Sequence, residues 1–190
     1  MRNRLIHALA ALCVPALLTS TPLAASAAQP ATGKPAKAEV QAGYVTMWAW
    51  LGNTDRCIDV PGWSTQKSTK LHTWDCLPTQ ANELFTAEGP YTNNPGGYAA
   101  YLLRNKHSGM CINVPNKNKT PGVQLIQYPC NPNEANSQWV DMRTRSIHVF
   151  KNAYTNLCMA VEGGGTANGT KLIQWHCDET QAYEKFYLGG

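Results

Sequence analysis

The chain has 190 residues, with 16 basic and 12 acidic side chains for a formal charge of +4, and 15 glycines, 12 prolines and 7 cysteines. That length admits one domain of ordinary size with an extension. The small positive balance comes with no dense basic run interleaved with aromatics, which argues against a nucleic acid partner that needs a surface tracking phosphates.

Residues 1–28 read as a secretory signal peptide. Arg2 and Arg4 supply its positive end, Leu5 to Leu18 its apolar stretch, and Ala25, Ser26, Ala27 and Ala28 its small cleavage residues. The apolar stretch is too short and too soon interrupted to span a bilayer, so no transmembrane segment is expected and the mature chain is expected to be secreted and extracellular. Losing this segment removes two of the 16 bases and none of the 12 acids, leaving about +2. Residues 29–43 are rich in Ala, Pro, Lys and Gly without an apolar period, and read as a flexible linker.

From 44 to 190 no stretch keeps a helical period over three turns. Short apolar runs occur instead at Tyr44–Leu51, Tyr98–Leu103, Leu125–Tyr128, Ile147–Phe150 and Leu172–Trp175, punctuated by Pro61-Gly62, Asn94-Pro95-Gly96-Gly97, Pro121-Gly122 and Gly163-Gly164-Gly165. Short strands between such turns predict an all-β domain, a sandwich or a closed barrel.

One unit occurs three times within this region. Without gaps, Cys57, Cys111 and Cys158 align, followed by Val60, Val114 and Val161, then Leu71, Leu125 and Leu172. The same register continues through Trp74, Tyr128 and Trp175, the cysteines Cys76, Cys130 and Cys177, and the aromatics Phe85, Trp139 and Phe186. Repeats of about 44–88, 98–142 and 146–190 follow, each of about four strands, and three equivalent units favour threefold closure. With Cys13 in the signal segment, six cysteines remain of the seven, an even number that in an exported chain points to disulfides over metal thiolates. Six cysteines allow fifteen pairings. The repeat selects Cys57 with Cys76, Cys111 with Cys130 and Cys158 with Cys177, the arrangement all three units can share. No CxxC occurs, so neither a metal site nor a cofactor is expected.

The recurring pattern of Cys-apolar-[Asp/Asn]-Val, an apolar-aromatic-x-Cys strand and a closing aromatic resembles the ricin B-type lectins and the related bacterial carbohydrate-binding modules. The resemblance spans 44–190 and implies a β-trefoil, a barrel of six strands capped by three hairpins. It also implies binding residues, position by position: an orienting acid at Asp59, Asn113 and Ala160, a stacking aromatic at Trp74, Tyr128 and Trp175, and an amide at Asn82, Asn136 and Tyr183. The first repeat is complete in these terms. The second exchanges carboxylate for amide and loses the charge-assisted bond, and the third has neither polar group.

The chemistry fits those residue types, because a sugar ring stacks its C–H face on an aromatic while its hydroxyls need a carboxylate or amide. Asp59 is expected on the rim of such a site, and His72 is a candidate fourth contact. Other roles stay open: Asp59 organising a turn, Trp74 and Trp175 in the core, Asn82 and Asn136 capping turns. Where the family has glutamine before an aliphatic residue, repeats two and three read Ile126-Gln127 and Ile173-Gln174. Either an isoleucine faces the ligand there or a bulge shifts the register. The closing motifs also lack the family's glutamine, reading Glu83-Leu84-Phe85, Ser137-Gln138-Trp139 and Glu184-Lys185-Phe186.

Catalytic motifs are missing. Glycoside hydrolysis needs two carboxylates across a cleft, whereas Asp75 becomes Pro129 and His176 in the other repeats, and no nucleophile elbow, HExxH or phosphate loop occurs. The expectation is a secreted, non-enzymatic lectin-like protein recognising a polysaccharide or glycoconjugate of galactose or xylose type, mainly through the first repeat. A non-catalytic interaction or delivery subunit of a multi-component toxin or surface complex, with an unknown protein partner, is the second reading. A trefoil protease inhibitor using the Pro90–Gly97 loop is the third.

Overall fold

The computed structural model describes residues 43–190 apart from 52, 53, 78 and 190. The expected signal peptide, and the expected linker up to residue 42, lie outside the described residues. Among the described residues there are twelve strands and six single 3-10 turns. The first repeat carries β1 (Val45–Leu51), β2 (Thr54–Asp59), β3 (His72–Trp74) and β4 (Leu84–Tyr91). The second carries β5 (Ala100–Asn105), β6 (Cys111–Asn113), β7 (Ile126–Tyr128) and β8 (Gln138–Asp141). The third carries β9 (Phe150–Asn152), β10 (Cys158–Val161), β11 (Thr170–Trp175) and β12 (Phe186–Gly189). The run at Ile147–Phe150 enters its strand only at Phe150, since Ile147 and His148 make single bridges to Thr144 and Phe186.

The outer strands of each repeat form a barrel. Antiparallel pairing runs β12 to β1, β1 to β4, β4 to β5, β5 to β8 and β8 to β9. The ring closes where His148 and Phe186 exchange backbone bonds of 2.8 and 2.9 Å. The inner strands form three hairpins, β2–β3, β6–β7 and β10–β11, that meet over one end. There Leu71 N donates to Leu125 O at 2.9 Å, Leu125 N to Leu172 O at 2.9 Å, and Leu172 N to Leu71 O at 3.2 Å. This cyclic bond joins the residues that the repeat places in register, and it satisfies backbone groups that burial would otherwise leave unpaired. The fold is a β-trefoil.

The core is built in threefold layers from the same register. Val60, Val114 and Val161 form one buried set, Leu71, Leu125 and Leu172 a second, and Phe85, Trp139 and Phe186 a third. A fourth layer is unequal, with Ala49, Leu103 and Phe150 at equivalent positions and Met47 filling space near the small residue. Trp139 can be fully buried because its indole N–H donates to Ile112 O at 3.0 Å. The disulfides are the three intra-repeat pairs expected, with Cα separations of 4.9, 5.0 and 4.9 Å. In the chain-entropy account each closes a loop worth about 3 kcal/mol.

Candidate functional site

In the first repeat Asp59 ends β2 and His72 opens β3, and the two residues are direct cross-strand partners. Such pairs share one face of the sheet. His72 Nε2 lies 2.7 Å from Asp59 Oδ2. From the following turn, Asn82 Nδ2 donates to Asp59 Oδ1 and, at 3.3 Å, to Val60 O. Two residues along β3, on the same face, Trp74 is 40% exposed and lies against the His72 ring, centroids 5.3 Å apart and planes inclined by 25°. All four residues expected at this site therefore lie in one contiguous cluster. One expectation is corrected. Asp59 is only 5% exposed, so it forms the floor of the cluster and not its rim, because its two oxygens are drawn inward by Asn82 and His72. A carboxylate has about four acceptor directions, which leaves Asp59 able to accept further hydrogen bonds.

A buried asparagine from the next repeat holds this arrangement. Asn105 Nδ2 donates to Asn82 O at 2.9 Å and to Leu84 O at 3.3 Å, and its Oδ1 accepts the backbone N–H of His107 at 3.0 Å and of Ser108 at 3.1 Å. Asn152 does the same one repeat on, donating to Asn136 O at 3.1 Å and Gln138 O at 3.3 Å. Each asparagine stands six residues before a first cysteine, where the first repeat has Leu51.

In the second repeat Asn136 Nδ2 donates to Asn113 Oδ1 at 3.2 Å and to Val114 O at 2.9 Å, mirroring Asn82. Asn113 Nδ2 turns to Ser137 Oγ at 2.6 Å. Tyr128, 40% exposed, flanks an open groove of about 1280 Å3 that Asn113, Ile126 and Asn136 also line. The third repeat is different. Ala160 is fully buried, Tyr183 packs on the core, and Trp175 is exposed above Gly122 of the neighbouring hairpin. Neither Trp74 nor Trp175 belongs to the core.

The register is not bulged. Ile126 pairs with Asn113 and Ile173 with Ala160, the positions His72 and Asp59 occupy in the first repeat. The isoleucines thus take the face that His72 and Asp59 share in the first repeat, and the glutamines turn inward. Gln127 Nε2 donates to Ser64 O at 2.8 Å and Gln66 O at 2.9 Å, and Gln174 Nε2 to Asn118 O at 2.7 Å and Thr120 O at 2.9 Å. Each glutamine clamps the hairpin loop of the preceding repeat. The first repeat has Thr73 there, and the loop it would have held is met by Arg56, whose Nε donates to Thr166 O at 2.7 Å. Arg56 also pairs with Asp75 at 3.0 Å, so that carboxylate serves the scaffold.

Two further acids lie under the surface. Glu83 Oε2 accepts the Leu77 N–H at 2.6 Å, and Glu184 Oε2 the Asp178 N–H at 2.8 Å. Burial pushes the Glu83 carboxyl above the ordinary carboxylate range, opposed by the Leu77 bond and reinforced by repulsion from Asp59 and Asp75. Burial likewise raises Glu184, against its bond from Asp178. Trp63 was not singled out by sequence reasoning. It is 46% exposed on the turn after Val60 and has φ of 54°. Its register equivalents Lys117 and Gly164 have φ of 54° and 64°. The turn is thus set by the backbone, and in the second repeat it borders the groove through Lys117. No helix among the described residues is long and apolar enough to cross a membrane.

Known proteins share this fold. The chain resembles a designed threefold-symmetric protein, ThreeFoil, at TM-score 0.69 and 19% identity, covering 77% of this chain and 98% of that one. It resembles the exo-β-1,3-galactanase of Clostridium thermocellum at TM-score 0.65 and 16% identity, covering 77% of this chain but 30% of the galactanase. It resembles the C-terminal half of an earthworm R-type lectin, solved with GalNAc, at TM-score 0.56 and 16% identity, covering 77% and 95%. No curated protein matches by sequence. The model of the ricin-type β-trefoil lectin domain-like family matches residues 81–175, half of the chain, and with the threefold fold and its paired cysteines around it, the chain belongs to that family.

Proposed function

We propose that the protein is a secreted lectin that binds a sugar of galactose or xylose type, principally through the first repeat, and does not hydrolyse it. The observation that carries this reading is the buried Asp59 carboxylate, held between His72 and Asn82 beside the exposed Trp74. A carboxylate oriented by two fixed partners is pre-organised to accept sugar hydroxyls. The indole next to it offers the apolar face on which a ring stacks. The GalNAc complex of the earthworm lectin and the galactanase similarity support a galactose-type ligand. The three disulfides fit an oxidising compartment outside the cell.

The roles of the acids near the site support binding without hydrolysis. Asp75 is paired with Arg56, and Glu83 is buried and bonded to Leu77 N, which leaves Asp59 without a second carboxylate facing it across a cleft among the described residues. A glycan array on the mature protein, repeated with Asp59→Asn, tests the reading. Binding to galactosides or xylosides that the variant loses is expected, with no reducing ends released from galactan or xylan. Undiminished binding by Asp59→Asn would place the ligand elsewhere.

A further inference from the structure

We propose that the groove of the second repeat is a separate site for anionic saccharides, whose rings carry a carboxylate or a sulfate ester. This rests on the lectin reading above and extends it to a second ligand class. The groove encloses about 1280 Å3 and is lined by Lys67, Lys70 and Lys117 against one acid, Glu134. Lys117 and Glu134 neutralise each other at 2.7 Å. Lys67 and Lys70 have no carboxylate partner among the described residues, so the groove keeps an uncompensated positive wall.

That wall is held in place by the backbone. The turn bearing both lysines is clamped by Gln127, whose Nε2 holds Ser64 O and Gln66 O and whose backbone exchanges bonds with Ser68 N and Thr69 O, each at 2.9 Å. Lys70 is itself bridged to Ile126, which lies on the ligand face beside Asn113. The floor of the groove is neutral, since Asn113 stands where the first repeat has Asp59. An anion there meets amides instead of a carboxylate. Asn136, only 7% exposed, donates its Nδ2 to Asn113 Oδ1 at 3.2 Å and to Val114 O at 2.9 Å, which fixes the amide floor. Tyr128 supplies the stacking ring.

The contrast with the first repeat gives the charge argument its direction. At that site the floor is the Asp59 carboxylate, Asp75 is paired with Arg56 at 3.0 Å, and the buried Glu83 carboxyl is repelled by both Asp59 and Asp75. The hairpin residues equivalent to Lys67 and Lys70 are Asn168 and Lys171, the second of them tied to Glu162 at 2.8 Å. An anionic ring is disfavoured in the first repeat and favoured in the second.

Calorimetric titration of the full mature protein with four oligosaccharides tests this: one bearing glucuronate, one bearing galactose 6-sulfate, and the neutral counterpart of each. Wild type is expected to bind at least one anionic probe at least tenfold more tightly than its neutral counterpart at the second repeat, with affinity falling as NaCl rises from 50 to 500 mM. The uronate and sulfate arms separate the two sources of charge. Lys67→Ala with Lys70→Ala, both exposed positions, is expected to weaken anionic binding about tenfold and to leave neutral galactoside binding unchanged. Asp59→Asn is expected to do the reverse. Anionic binding undiminished in the lysine variant, or no preference over the neutral probes, overturns the proposal. Neutral binding alone would leave the first-repeat reading standing, and anionic binding alone would leave only this one.

Discussion

The Asp59 carboxylate and the His72 ring meet at 2.7 Å across the pair of strands β2 and β3, with Asp59 almost fully buried. The acid proposed for recognition is here also a structural one. Removing it leaves Asn82 Nδ2 with only the 3.3 Å bond to Val60 O and leaves His72 Nε2 facing a void.

Asp59→Ala is therefore expected to destabilise the domain as well as abolish binding. An unsatisfied buried polar group costs about 1–3 kcal/mol, and in a domain of this size each kcal/mol moves Tm by about 2–4 °C. Asp59→Asn, which keeps an oxygen for Asn82 as Asn113 does for Asn136, is expected to lose less than half as much. Thermal melts of the two variants check this ordering. Equal Tm for wild type and Asp59→Ala would contradict it.

The buried acids Glu83 and Glu184 give the stability a pH dependence. Their folded-state values are raised above the ordinary 4.5, mainly by burial. An acid shifted upward binds its proton more tightly when folded, so its stabilising contribution is present below about pH 4.5 and is lost as pH rises through the folded value. At these positions the family has glutamine. Glu83→Gln with Glu184→Gln is expected to raise Tm at pH 7 by a few degrees and to change it little at pH 4. Melts from pH 4 to 8 measure the difference, and an equal shift at both ends would rule out ionisation as the cause.

Much of the architecture was legible in the register of the repeat. The three disulfides, the valine, leucine and aromatic layers and the threefold closure follow from positions that align without gaps, and the trefoil from the family resemblance those positions carry. The clustering of the candidate residues was legible in the sequence, but not its depth. Asp59 reads as a rim residue because a carboxylate is seldom buried alone, and its partners His72 and Asn82 lie 13 and 23 positions away. Only strand pairing brings them together. The roles of Gln127 and Gln174 were hidden for a related reason. Alternation along a strand tells which residues share a face, but not that the inward face meets a neighbouring loop. Asn105 and Asn152 lie two residues beyond the apolar runs that end at Leu103 and Phe150, and their side chains bond to the preceding repeat.

Those inward glutamines are expected to carry measurable stability. Gln127→Ala frees two loop carbonyls and loosens the turn bearing Lys67 and Lys70, and Gln174→Ala does the same for the loop of the second repeat. Each is expected to cost about 1–3 kcal/mol. Chemical denaturation should show a lower midpoint, and hydrogen exchange should show faster exchange around Ser64–Thr69 in the first variant and Asn118–Thr120 in the second. Unchanged protection in those loops would show that the backbone bonds alone hold them.

Asn105→Ala is expected to disturb the first site without touching it. The variant loses the bonds to Asn82 O and Leu84 O, so the turn that presents Asn82 to Asp59 is no longer fixed. Sugar affinity at the first repeat should fall severalfold, with a Tm loss of the size given for other buried hydrogen bonds. The equivalent Asn152→Ala should spare that affinity and alter only the second repeat. Titration of both variants with one neutral galactoside separates the two effects, and equal affinities would contradict a positioning role for Asn105.

The central claim is that the first repeat is the principal sugar site. Trp74 and Trp175 occupy equivalent positions with nearly equal exposure, 40% and 39%, yet only Trp74 stands beside a carboxylate and an amide. Both can be truncated without opening the core, so binding can be read apart from stability. Calorimetric titration of Trp74→Ala and Trp175→Ala with a galactoside, alongside melts showing both folded, is the most direct measurement. Loss of about tenfold or more in affinity for Trp74→Ala, with Trp175→Ala indistinguishable from wild type, is the predicted result. Unchanged affinity in Trp74→Ala, or an equal loss in both, would contradict the account.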